Sequence, residues 1–83
     1  SFPMGNAKAI ETLTFEDALG ELETIVRSLE SGQAPLEESI TAYERGIKLK
    51  NHCDKKLKEA QEKIEKITID KDGKLSTQPL DGE

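Results

Sequence analysis

Leu29-Glu30-Ser31-Gly32-Gln33-Ala34-Pro35-Leu36-Glu37-Glu38-Ser39 holds a helix stop, a tight connector and a helix start. Gly32, just past an apolar periodic segment, suits the left-handed backbone position that ends a helix, because glycine has no Cβ to clash there. Pro35 fixes a backbone angle compatible with a new first turn, where its missing N–H does no harm. Glu37 and Glu38 then place negative charge near a helix N-terminus, which favours it. A connector this short makes the flanking helices antiparallel neighbours. The stretch predicts a helical hairpin.

On the N-terminal side, Leu13-Thr14-Phe15-Glu16-Asp17 reads as a helix start. Thr14 is the cap, and Asp17 stands three residues on, as in a capping box with Asp replacing Glu. Phe15, Ala18, Leu19, Leu22, Ile25, Val26 and Leu29 recur at spacings of three and four, which is one apolar stripe. The outer face carries Glu16, Asp17, Glu21, Glu23 and Glu30 against a single Arg27. A helix over about residues 15–30 would span roughly 24 Å.

On the C-terminal side, Leu36, Ile40, Tyr43, Ile47, Leu49, Cys53, Leu57, Ala60, Ile64 and Ile67 continue an apolar line with no proline to stop it. A helix over about 36–67 would measure roughly 48 Å. The first helix can therefore cover only about half of the second. Phe15, Leu19, Leu22, Ile25, Val26 and Leu29 are expected to pack within the chain on Ile40, Tyr43 and Ile47. Tyr43 and Gly46 stand at the edge of a predicted subunit interface that continues through Leu49, Cys53, Leu57, Ala60, Ile64 and Ile67. Gly46 costs about 1 kcal/mol in a helix relative to alanine, so it is expected where another helix approaches closely. Gly20 raises the same question more weakly.

The predicted fold is all-α: an antiparallel two-helix hairpin of coiled-coil or spectrin-repeat type over residues 13–67, with a short first helix and a long second one. Residues 1–12, with Pro3, Gly5 and Asn6, are expected to form a disordered arm, and Ser1-Phe2-Pro3 ahead of Met4 reads as a cloning remnant. In the segment 68–83, Asp72-Gly73 between β-compatible residues predicts a short turn or hairpin, followed by a flexible tail.

Composition excludes several functions. A chain of 83 residues allows one small domain with a thin core. Its net charge of -5 argues against strong nucleic-acid binding by this chain alone. The single cysteine, Cys53, cannot form an internal disulfide, and no long apolar run suggests a membrane span or secretory signal. The cytoplasm is the expected compartment.

Candidate chemistry is sparse. Aligning Gly73 on the invariant glycine of a calcium loop puts Thr68 and Pro79 where terminal ligands belong, so the loop fails at both ends. His52 and Cys53 are adjacent, about 100° apart on a helix, and do not face one ligand. Arg45, Lys48, His52, Lys55 and Lys56 could form a basic ridge for an acidic protein surface or single-stranded DNA. A solvated face explains them as well, since no aromatic is interleaved for base stacking. No catalytic, cofactor or metal constellation is predicted.

The order Phe15-Glu16-Asp17-Ala18-Leu19, Leu22-Glu23, Ile25-Val26, Leu29-Glu30-Ser31-Gly32, Pro35-Leu36-Glu37-Glu38-Ser39, Tyr43-Glu44-Arg45-Gly46 and the Leu57 to Ala60 region resembles the small-subunit family of bacterial exodeoxyribonuclease VII. Individually the strings are weak; their order and spacing are specific. Ala34 stands where a larger aliphatic is common, and Gly20 replaces a better helix former. The resemblance implies a non-catalytic helical hairpin that associates with a large subunit bearing the nuclease chemistry. The holoenzyme would degrade single-stranded DNA from both ends to acid-insoluble and then smaller oligonucleotides in the bacterial cytoplasm. The isolated chain is expected to self-associate. The alternative is a stand-alone homo-oligomeric helical adaptor unrelated to DNA.

Overall fold

The computed structural model describes residues 8–69 and 72–77. Its elements are a 3-10 turn, η1 (Ile10–Thr12), two helices, α1 (Phe15–Ser31) and α2 (Leu36–Glu65), and two strands, β1 (Ile67–Ile69) and β2 (Leu75–Thr77). The molecule is a rod of 61 × 24 × 18 Å, with a radius of gyration of 18.4 Å. A compact globule of this length would have about 12 Å, so much of α2 extends beyond any cover.

Local chemistry sets the ends of α1. The Thr14 hydroxyl accepts from the Asp17 N–H at 3.1 Å, while Glu16 and Asp17 place negative charge in the first turn. Gly32 ends the helix at φ 67°, and its N–H donates to the Leu29 carbonyl. Pro35 lies one position earlier than a first-turn residue: it caps α2 at ψ 151°, and its carbonyl accepts from the Ser39 N–H at 3.0 Å. α2 ends at Glu65, two residues short of the expected 67, because Ile67 enters a strand. β1 and β2 pair antiparallel with Ile69 opposite Leu75, and Gly73 takes a left-handed φ of 81° in the turn. Pro79 and the rest of the tail lie outside the described residues.

The helices pack antiparallel around Ala18, Ile25, Ala42, Leu49 and Cys53, with Leu13 closing one end. Phe15, Leu22 and Leu29 are half-buried against this cluster. Arg45 crosses the seam to Glu21, with two guanidinium donors on the two carboxylate oxygens. Charge-assisted pairs of this forked kind fix geometry as well as adding energy. Residues 8–13, assigned from sequence mainly to the disordered arm, are instead folded back along α2. Arg45 Nη2 donates to the Lys8 carbonyl at 3.1 Å, and His52 Nε2–H donates to the Leu13 carbonyl at 2.9 Å. Ile10 and Leu13 add apolar contacts, which explains why this segment docks. Residues 1–7 lie outside the described residues.

The face that α2 presents to α1 differs from the sequence expectation. Leu49 is fully buried, whereas Ile47, assigned to the internal seam, is 43% exposed. Gly46 is buried opposite Ile25 and Leu22, but a Cβ there would meet their side chains at 3.6 Å, an ordinary contact. Gly20 faces open space. Helix packing surrounds Gly46 without requiring glycine.

Leu49→Ala should lower stability by about 2–4 kcal/mol in a urea titration, and Ile47→Ala by less than about 1 kcal/mol; the reverse ranking would overturn the helix orientation. Gly46→Ala and Gly20→Ala should each raise the melting temperature, by up to about 1 kcal/mol of stability. A loss at Gly46 would mean that the helices approach more closely than 3.6 Å permits.

Candidate functional site

Among the described residues, two apolar surfaces remain open after the hairpin has formed. The first arises next to the connector. Leu19 and Val26 each follow a buried seam residue, Ala18 or Ile25, and Tyr43 and Ile47 each follow another, Ala42 or Gly46. One residue turns a helix by about 100°. Because α1 and α2 are antiparallel, these rotations carry all four side chains to the same side of the hairpin. Leu36 and Ile40 extend the patch, and Tyr43 is 60% exposed. Leu19, Val26, Ile40 and Ile47, expected inside the chain, therefore line its surface.

The second surface is the free end of α2. α1 and Leu13 cover the helix as far as Cys53, which is 6% exposed. Beyond it Leu57, Ala60 and Ile64 continue the buried line without a cover, and Ile67 follows in β1. Of the predicted interface residues, Tyr43, Leu57, Ala60, Ile64 and Ile67 are available to a partner. Gly46, Leu49 and Cys53 are not, because α1 and the folded arm already occupy them. The physical reason is that the proposed line joined two stripes: Ile47 to Leu49 is a step of two residues, about 200° around the helix.

The opposite side of the hairpin is polar. Arg45 and His52 are consumed within the chain by Glu21 and by the Lys8 and Leu13 carbonyls, which breaks the suspected basic ridge. Glu21 pairing holds the Arg45 guanidinium above its ordinary pKa. Lys48 and Lys55 remain exposed beside Glu44 and Glu11. Burial pushes the Cys53 thiol up, which keeps it protonated and a poor nucleophile. Among the described residues no group of three His, Cys, Asp or Glu side chains could hold a metal ion. The folded arm and its two side-chain clasps went unread in the sequence. Ile10 and Leu13, spaced by three beside the helix cap, were the available signal.

The hairpin thus leaves apolar side chains of both helices exposed, and its helices are similar to those of known proteins. A family model described as exonuclease VII small subunit matches residues 15–66. Curated proteins named exodeoxyribonuclease 7 small subunit are similar over most of the chain. The Brucella melitensis protein is 57% identical over 75 residues, 89% of this chain and 90% of the relative. The Gluconobacter oxydans protein is 54% identical over 71 residues, 86% of each chain. The Caulobacter vibrioides protein is 53% identical over 72 residues, 87% of this chain and 86% of the relative. No solved structure matches. The matched span covers both helices and the connector between them, and this chain belongs to the exonuclease VII small subunit family.

Proposed function

We propose that this chain is the non-catalytic small subunit of an exodeoxyribonuclease VII in the bacterial cytoplasm. It binds and supports a large subunit that hydrolyses single-stranded DNA in both the 5′–3′ and 3′–5′ directions, giving acid-insoluble and then smaller oligonucleotides. The observation that carries this reading is the exposed apolar surface of a folded hairpin: Tyr43, Leu57 and Ile64 are each more than half exposed. Large exposed apolar surface of this kind marks an interaction site. Chemistry then resides in the partner, and DNA reaches this chain through the assembled enzyme. Among the described residues no helix is long and apolar enough to cross a membrane. In the absence of the large subunit the same surfaces favour self-association, since water is a poor solvent for them.

Co-expression with the large subunit from the same genome tests the proposal. A soluble complex that degrades single-stranded DNA is expected, whereas the small subunit alone should release no oligonucleotides. Leu57→Asp should weaken assembly about tenfold or more, because an apolar contact is lost and a charge is placed against the partner, while the circular dichroism of the hairpin stays unchanged. Stable self-association with no large-subunit capture would instead establish the homo-oligomeric adaptor.

A further inference from the structure

α2 continues the line of positions that receives α1 a second time, with larger apolar side chains where Gly46 stands. Eighteen residues make about five turns and advance roughly 27 Å, so positions eighteen apart point the same way. By that spacing Ala42 recurs as Ala60, Gly46 as Ile64 and Arg45 as Lys63. An eleven-residue spacing returns to within about 20° and relates Arg45 to Lys56 and Gly46 to Leu57. The first version is covered: α1 fills the apolar groove, and its Glu21 meets Arg45 at the edge. The second is bare, with Leu57 54% and Ile64 66% exposed. Lys56 and Lys63 stand exposed along its edge, and neither closes an ion pair among the described residues.

From this repetition we infer that the free end of α2 receives a helix of α1's kind from the large subunit: an apolar stripe bordered on one side by carboxylates, which meet Lys56 and Lys63 as Glu21 meets Arg45. The inference rests on the subunit reading above and specifies the chemistry of the partner at this site. A second copy of the chain fits less well. Its α1 is already occupied, since Ala18 is fully buried and Ile25 is 4% exposed. Two α2 ends paired antiparallel would bring Lys56 of one copy towards Lys63 of the other, and facing like charges repel. A helix with an acidic edge removes both objections.

The test compares Lys56→Glu with Lys63→Glu, as a double variant, against a charge-matched double variant on the far side of the helix, Lys55→Glu with Lys58→Glu. Affinity for the purified large subunit is measured by titration at low and high salt. The seam-edge variant should bind about tenfold more weakly at low salt, and the deficit should shrink as salt screens the repulsion. The far-side variant should bind as the unmodified chain does. Equal weakening by both variants would overturn the inference, because net charge would then be responsible. Wild-type binding by the seam-edge variant, together with loss of binding in Leu57→Asp, would overturn the acidic edge and leave the subunit reading standing. Failure of the unmodified chain to bind would remove both.

Discussion

Ala42 and Gly46 determine which way the long helix faces. Small residues at these positions let α1 approach, with Leu22 and Ile25 seated directly over Gly46. Once that face is turned inward, Leu49 falls in the centre of the seam and becomes fully buried. The same rotation leaves no inward place for Tyr43 and Ile47, each one residue further round. The open patch beside the connector is thus a direct consequence of how the core closes. Arg45 then locks the orientation at the edge, tying α2 to Glu21 of α1 and to the Lys8 carbonyl of the arm.

The core built this way is thin. Leu13, Ile25 and Leu49 are its large buried side chains, and alanines and Cys53 make up the rest. Such a core gains little from packing relative to the conformational entropy lost in ordering two helices. A natural way to offset that cost is to bury further apolar surface against a partner, since binding to the folded form alone stabilises it. Stability and assembly are in this sense one problem. Against a partner, the exposed residues would complete the core from outside the chain.

The elements were legible because their ends depend on local chemistry. Thr14 and Gly32 act through their own backbone and side chain, so sequence alone places them. The uncovered end of α2 was equally legible, since it follows from counting residues on either side of the connector. Helix phase was not, because apolar residues occupy two stripes of α2. A reading that follows the apolar residues in order slides from Ile40, Tyr43 and Ile47 onto Leu49 and Cys53. Only the two-residue step from Ile47 to Leu49 betrays the change of face. The docked arm was hidden for a different reason. Its hold depends on Arg45 and His52, more than thirty residues away, and its own helical turn is three residues long.

The two open stripes have different directions on α2, which constrains how the subunit can be covered. The Tyr43 and Ile47 stripe lies about 100° round from the Gly46 and Leu49 line, whereas Leu57, Ala60 and Ile64 continue that line. A straight helix seated on the free end would run on from the end of α1, along the groove α1 already fills above. It could not also reach the patch beside the connector, which faces sideways from the hairpin. Covering both surfaces therefore requires two contacts from different directions. A hairpin with equal arms would present no free end, and one with its apolar residues in a single stripe would present no side patch. The unequal arms and the doubled stripe together leave the fold with two apolar faces that point in different directions.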